Sequence, residues 1–145
     1  MARRWQFLVA RPLTPPEKKL LETLLKEALG DWRTHGRPIS WEVSFPYDHF
    51  IEIATSSPIS GCAIDTLFRT LHTLLPQNGF ALLPTDHLAI LDMVNDFIFT
   101  KKYNEIIKSW QEGTWPETHY LLEPSEEGVN AVPLTKSRLA IHLCG

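Results

Sequence analysis

One cysteine and one histidine in the first half of the chain are the residues best suited to nucleophilic chemistry. Cys62 lies in the segment Ser-Gly-Cys-Ala-Ile-Asp at positions 60–65, and His35 lies in Asp-Trp-Arg-Thr-His-Gly-Arg-Pro at positions 31–38. A cysteine thiolate is a strong nucleophile, and a neighbouring imidazole can act as its base or its ion-pair partner. The pair therefore predicts a thiol-dependent site wherever the fold brings the two segments together.

The residues around Cys62 and His35 suggest how such a site would work. Cys62 is predicted in the first turn of a helix, where unpaired N–H groups and the helix dipole stabilise a thiolate and bind small anions. Asp65 or Asp31 could orient the imidazole of His35. Arginines near the same place are suited to an anionic ligand. The predicted ligand-binding residues are Trp32, Arg33, Arg37, Ser60 and Gly61.

The same residues also have a purely structural interpretation. Cysteine is among the most often buried residue types, so Cys62 could be a small packed side chain without chemistry. Ser60 and Asp65 suit a helix start on their own, because one caps free N–H groups and the other favours the positive end of the dipole. His35 could belong only to a loop, and Trp32 could only cover the end of the core. The remaining large aromatics of this part are predicted to be packing residues: Trp41, Phe45, Phe50 and Phe68.

Hydrophobic periodicity predicts the elements that must position these residues. Thr14 and Glu17 form a capping-box pattern, and Gly30 supplies a helix stop. The predicted elements are a strand at 5–10, a helix at 15–29, two alternating strands at 39–45 and 50–55 that form a hairpin, a helix from 60 to 75, and a short strand at 80–83.

This order of elements predicts an α+β fold with a ferredoxin-like β-α-β-β-α-β sandwich. In that fold two helices pack on one face of an antiparallel sheet, and successive elements reverse direction. The connectors that precede the second strand and the second helix then lie at the same end of the sheet. Positions 31–36 should therefore face positions 60–65, which is the arrangement that the thiol-dependent site requires.

The C-terminal part carries weaker signals. A β-hairpin is predicted around Asn95-Asp96, followed by a helix near 103–110 and a strand at 119–122. This part is too small to be expected to hold its own core. The prediction is therefore a single domain over 1–145, with a ferredoxin-like core at 1–83 and residues 84–145 as an extension of the same sheet.

Composition excludes several classes of protein. The 145 residues include 14 Lys+Arg and 17 Asp+Glu, so no basic surplus indicates a nucleic-acid or membrane partner. Only Cys62 and Cys144 are present, which favours a cytoplasmic chain with free thiols, and the apolar N-terminal run stops at Arg11-Pro12, short of a signal peptide. No phosphate-binding loop, serine-hydrolase elbow or zinc-ligand spacing occurs, so no cofactor and no metal are predicted.

The two segments together resemble a group of short bacterial proteins of uncharacterised function that carry Trp-x-x-His-Gly and Ser-Gly-Cys-x-Ile-Asp elements at about this separation. Such proteins are sometimes labelled "ABC transporter ATPase", which the sequence does not support because it lacks the phosphate-binding loop. Ala63 stands where the group has a serine. The similarity runs from the first strand to Asn95-Asp96. It singles out, without an activity, the residues Trp32, His35, Gly61, Cys62 and Asp65.

Two functional hypotheses follow from the sequence. The favoured one is a small cytosolic binding or regulatory module that associates with a protein partner or with itself, since no complete catalytic signature is present and such folds host many functions. The alternative is a thiol-dependent enzyme or a small-anion-binding site built from Cys62, His35 and Asp65.

Overall fold

A computed structural model describes residues 3–143, so the predicted free thiol of Cys144 lies outside the described residues. The chain divides into two compact units, Met1–Leu83 and Pro84–Gly145. Each unit has its own antiparallel sheet and its own apolar cluster, so the fold is mixed α+β as predicted. No helix among the described residues is long and apolar enough to cross a membrane.

The first unit contains the predicted strands of the hairpin and both predicted helices. Its elements are β1 (Arg3–Leu8), α1 (Pro15–Ala28), β2 (Arg33–Thr34), β3 (Arg37–Pro38), β4 (Trp41–Ser44), a 3-10 turn (Pro46–Asp48), β5 (Phe50–Thr55) and α2 (Gly61–Gln77). The sheet has the order β1-β5-β4, with antiparallel pairing throughout. Strands β2 and β3 form a separate two-residue hairpin within the predicted connector.

Helix α1 begins where the capping-box pattern predicts. The Thr14 hydroxyl accepts a hydrogen bond from the Glu17 N–H at 3.3 Å, and the Glu17 carboxylate accepts one from the Thr14 N–H at 3.0 Å. Arg11 donates two further hydrogen bonds to this carboxylate, at 2.9 and 2.6 Å. The hydrogen bond from Arg11, followed by that from the Thr14 backbone, lowers the pKa of Glu17 to about 2. The carboxylate is therefore charged, as a stable helix start requires.

Helix α2 also begins at its predicted cap. The Ser60 hydroxyl accepts a hydrogen bond from the Ala63 N–H at 3.2 Å. One stripe of the helix is buried against the sheet, as the spacing predicts. That stripe consists of Ala63, Leu67, Leu71 and Leu75. Phe68, predicted to be a packing residue, is 40% exposed, although its ring centroid lies 5.2 Å from that of Phe7.

The predicted fourth strand at 80–83 is not a strand, so the four-stranded ferredoxin-like sheet is not observed. The segment makes only an isolated bridge, between Val9 and Leu82. Its flanking hydrogen bonds are the Ala10 N–H to the Ala81 carbonyl and the Leu83 N–H to the Leu8 carbonyl, both at 3.0 Å. Pro84 follows at once. Because proline has no N–H to donate, pairing stops before a ladder forms.

The second unit forms a sheet of its own instead of extending the first one. Its elements are β6 (His87–Asp92), β7 (Phe97–Lys102), α3 (Tyr103–Gln111), β8 (His119–Ser125), β9 (Gly128–Val132), a 3-10 turn (Leu134–Lys136) and α4 (Ala140–Leu143). The strand order is β7-β6-β8-β9. The β8–β9 hairpin, which the sequence pattern did not predict, supplies enough strands to bury an apolar face. The core of this unit includes Leu88, Ile90, Ile106, Leu121, Leu134, Leu139 and Leu143.

Candidate functional site

Two hydrogen bonds join the segments that carry the sequence elements. The indole N–H of Trp32 donates to the Ala63 carbonyl at 2.9 Å. The Ser60 N–H donates to the Thr34 hydroxyl at 2.9 Å. The predicted meeting of positions 31–36 with the start of α2 is therefore confirmed. Each bond links a specific side chain to the start of the helix, so the two bonds fix the position of residues 31–36 against α2.

Cys62 is a free, solvent-exposed thiol at the start of α2. It lies outside the buried stripe of the helix, and its carbonyl accepts a hydrogen bond from the Thr66 hydroxyl at 3.0 Å. Asp65 is exposed on the same helix. The interpretation of Cys62 as a packed core residue is therefore wrong, and the thiol is accessible to reagents.

His35 and Gly36 form the turn of the β2–β3 hairpin. Their φ angles are 49° and 77°, the left-handed conformation that a two-residue hairpin turn needs and that glycine adopts most easily. Arg33 donates to Asp31 at 2.9 Å and to the Gly36 carbonyl at 3.1 Å, which fixes this turn. The Arg37 side chain is exposed beside it.

The predicted catalytic group is only partly brought together. Asp31 is engaged by Arg33 instead of orienting the imidazole. Within residues 3–143, no hydrogen bond or ion pair joins His35 to Cys62 or Asp65. Action of His35 on the Cys62 thiol thus stays a prediction.

A groove that the sequence did not predict lies beside Trp32, between α1 and the edge strand β4. Its volume is about 520 Å³. Trp32, 5% exposed, contributes to its floor, and its ring packs edge-to-face against that of Trp41 with centroids 6.4 Å apart. Half-buried Ile39 and Val43 continue the apolar lining. Trp41, predicted to be a packing residue alone, thus presents part of its ring to an open groove.

Charged side chains border this groove. Glu22 and Lys26 come from α1, and Glu42 comes from β4. None of the three has an ion-pair partner among the described residues. Two carboxylates against one ammonium give the border a negative balance, which favours a basic group on whatever binds there.

Glu52 is a second feature that sequence reasoning missed. This carboxylate is 3% exposed in the centre of the first sheet. It accepts hydrogen bonds from Arg4 at 2.8 Å, from Gln6 at 3.0 Å and from Ser44 at 3.2 Å. The donors lie on β1 and β4, the two neighbours of β5. The carboxylate therefore ties all three strands together.

A further polar group, Asp92, orders the tip of the β6–β7 hairpin. Asp92 accepts hydrogen bonds from the side chain of Asn95 at 2.9 Å and from the N–H groups of Asn95 and Val94, both at 3.0 Å. These bonds, that of the Asn95 side chain first, lower the pKa of Asp92. His119 lies 3.4 Å from the same carboxylate, and its ring packs edge-to-face with those of Phe99 and Trp115. The tip is consequently a well-defined turn.

Comparison of the chain with protein-family models, curated proteins and solved structures finds no match. Between residues 3 and 143, no group of three or more His, Cys, Asp and Glu side chains is placed to hold a metal ion. The features that bear on function are therefore the groove, the exposed thiol and the strand edges.

Proposed function

We propose that the protein is a cytosolic binding module whose groove between α1 and β4 holds an extended segment of a partner protein. The observation that supports this is the position of the groove beside an unpaired edge. Strand β4 pairs only with β5 among the described residues, so its outer N–H and C=O groups can accept another strand. Main-chain pairing would supply affinity, and the groove would supply specificity.

The lining of the groove defines the chemistry of the partner segment. Alternate side chains of an added strand point to the same face, so every second residue could enter the groove. An aromatic or branched aliphatic residue suits the half-buried ring of Trp41 and the side chains of Ile39 and Val43. A lysine or arginine in the segment suits Glu22 and Glu42, whose carboxylates have no ion-pair partner in the described part of the chain.

Selection from a random 12-residue peptide library displayed on phage, with the full chain as target, tests this proposal. We expect enriched sequences that alternate apolar residues and carry Lys or Arg. Trp41→Ala should weaken binding of the enriched peptides by about tenfold or more, because a buried aromatic anchor is the kind of residue that dominates such interfaces. Binding is measured by fluorescence polarisation with synthetic copies of the peptides.

Tyr47→Ala is the matched control for the Trp41 variant. Tyr47 is a 41% exposed aromatic residue outside the groove, so its replacement should leave peptide affinity unchanged. Enriched peptides that bind Trp41→Ala as tightly as the wild type, or a selection without a common pattern, would contradict the proposal.

A thiol-dependent or small-anion site is the second candidate function, and the exposure of Cys62 favours it. The thiol lies at the start of α2, and the Thr34–Ser60 hydrogen bond holds the β2–β3 hairpin beside it. His35 and Arg37 lie in that hairpin, where they could influence the thiol or an anion. We also propose that the chain belongs to the group of bacterial proteins that carry the Trp-x-x-His-Gly and Ser-Gly-Cys-x-Ile-Asp elements.

The rate of Cys62 alkylation by iodoacetamide at pH 7, in a Cys144→Ser background, tests the second candidate. If His35 activates the thiol, His35→Ala should lower the rate by about threefold or more, because the thiolate is the reactive species. His72→Ala is the control, since His72 is exposed on α2 and bonds the Phe68 carbonyl at 2.8 Å. Equal rates in all three proteins would remove His35 from the site.

A further inference from the structure

The outer edge of β7 is apolar and pairs with no other strand of residues 3–143. Strand β7 is the first of the sheet β7-β6-β8-β9, and among the described residues it pairs only with β6. Phe97 is 50% exposed, and Ile98, Phe99 and Thr100 are half-buried. Natural edge strands are normally protected by charge, proline or a bulge, because an exposed apolar edge pairs with other strands. Lys101 and Lys102 supply such charge at the end of β7, but its first four residues carry none of these devices.

We infer that this edge binds a second copy of the chain, with the two β7 strands antiparallel about a two-fold axis. The partner is a second copy because an antiparallel edge is complementary to itself under two-fold symmetry. Two four-stranded sheets would then join into one continuous sheet of eight strands. Every outward N–H and C=O of the central part of β7 would find a partner.

The faces of the sheet restrict the register of this pairing. A two-fold axis perpendicular to the sheet keeps each face on the same side in both copies, so directly opposite residues must share a face. Phe97, Phe99 and Lys101 share one face of β7, and residues 98, 100 and 102 share the other. Pairing centred on Phe99 satisfies this condition and uses nearly the whole strand.

This register brings complementary groups together across the interface. Phe99 lies opposite Phe99 of the second copy, with the Phe97 rings on either side. In each copy the Phe97 and Phe99 ring centroids are already 5.6 Å apart, so four rings would form one row. Lys101 lies opposite Phe97 of the second copy, where its ammonium can contact the ring face.

Hydrogen bonds to Asp92 order the turn that precedes β7. The Asp92 carboxylate accepts three hydrogen bonds from Val94 and Asn95, and the Asp96 N–H donates to the Asp92 carbonyl at 2.8 Å. The exposed side chain of Val94 lies in this turn, beyond the residues that pair across the interface. A change at Val94 therefore separates the effect of added charge from the effect on strand pairing.

Sedimentation equilibrium of the full chain, from about 1 to 200 µM, tests the inference over the range of weak protein association. We expect a monomer–dimer equilibrium for the wild type. Phe97→Lys places a second ammonium opposite Lys101 at two symmetric positions, which should weaken the dimer by about tenfold or more. Val94→Lys makes the same change of charge at a 71% exposed residue outside the ladder and should leave the dimer intact.

A cross-link checks the register independently. Ile98 faces Thr100 of the second copy, so Ile98→Cys/Thr100→Cys in a Cys62→Ser/Cys144→Ser background should oxidise to a disulfide-linked dimer. The singly substituted Thr100→Cys protein should remain monomeric on a non-reducing gel. A wild type that sediments only as a monomer at 200 µM, or a dimer that Phe97→Lys leaves intact, would overturn the inference. Either result would leave the peptide-binding proposal unaffected, because that proposal depends on β4 and α1.

Discussion

Trp32→Ala should lower the free energy of unfolding by about 3–5 kcal/mol, the cost typical of deleting a buried large aromatic side chain. Trp32 is 5% exposed and belongs to the apolar cluster of the first unit. Its indole N–H donates to the Ala63 carbonyl at 2.9 Å. Alanine would leave a cavity beside the groove and remove one of the two hydrogen bonds that join positions 31–36 to the start of α2. Urea denaturation followed by circular dichroism measures the effect.

Trp32→Phe separates the two contributions of this side chain. The phenyl ring keeps most of the packing but cannot donate to the Ala63 carbonyl, so we expect a smaller loss, about 1–3 kcal/mol. Trp41→Phe is the matched control, because Trp41 is half-buried and no hydrogen bond of its indole is observed within residues 3–143. A Trp32→Ala protein within about 1 kcal/mol of the wild type would show that the contact with α2 is not structural.

The two roles that the sequence left open for Trp32 are not exclusive. Its ring covers the end of the core, as the structural interpretation holds, and it also lines the groove beside Trp41. The Trp-x-x-His-Gly and Ser-Gly-Cys-x-Ile-Asp segments are joined by its hydrogen bond to Ala63 and by the bond between Thr34 and Ser60. The contact between these two segments therefore has a structural role that does not depend on what the groove binds.

Local signals predicted the first unit well because its helix starts are encoded within a few residues. Thr14 and Glu17 satisfy each other across a single turn, and Ser60 caps a helix three residues away from Ala63. The hairpin of β4 and β5 follows from alternation over short strands. Propensity and pattern determine such features without help from distant parts of the chain.

The second sheet could not be predicted because its pairing is long-range and one of its strands contradicts local preference. Strand β8 runs through Pro124, which pairs with Val129 in the β8–β9 hairpin. Turn chemistry predicts a loop over Pro124-Ser125, since proline and serine are common there. The tertiary contacts of Leu121 and Leu122, each 1% exposed, outweigh this local preference.

The groove escaped prediction for a related reason. Alternation of Ile39, Trp41 and Val43 indicates a buried face but does not tell whether the strand lies at the centre or at the edge of its sheet. In the observed strand order β4 lies at the edge of the sheet, and for this reason its apolar face lines a groove. The exposure of Cys62 was undetermined in the same way, because the stripe of α2 that turns inward depends on how the helix packs.

Removing the Glu52 carboxylate should lower the free energy of unfolding about as much as removing the Trp32 side chain. The pattern of Phe50–Thr55 places Glu52 on the face opposite the apolar core, yet it is only 3% exposed. It lies directly opposite Gln6 on one side and Ser44 on the other. We expect Glu52→Ala to lower the free energy of unfolding by about 3 kcal/mol, because loss of a buried acceptor leaves its donors unsatisfied.

The arginine that contacts this carboxylate offers an independent check. The Arg4 side chain is 34% exposed and can turn to water when its partner is lost, so Arg4→Ala should cost less than Glu52→Ala. Urea denaturation of both variants and of the double variant completes a double-mutant cycle. Additive losses would show that the 2.8 Å contact contributes no coupling energy and would contradict a role for this ion pair. A coupling of about 1 kcal/mol or more is expected, because Glu52 is nearly inaccessible to water.

Glu52→Gln distinguishes the charge of the carboxylate from its capacity to accept hydrogen bonds. The amide oxygen can replace one carboxylate oxygen as an acceptor, but the NH₂ group in place of the other oxygen would face a donor, Gln6 or Arg4, where an acceptor is required. We therefore expect an intermediate loss of about 1–2 kcal/mol. Because all three donors lie on strands that flank β5, the same loss should loosen β4. Hydrogen exchange of the β4 amides should therefore accelerate in Glu52→Gln. Because β4 forms one side of the proposed peptide groove, the groove would become less ordered as well.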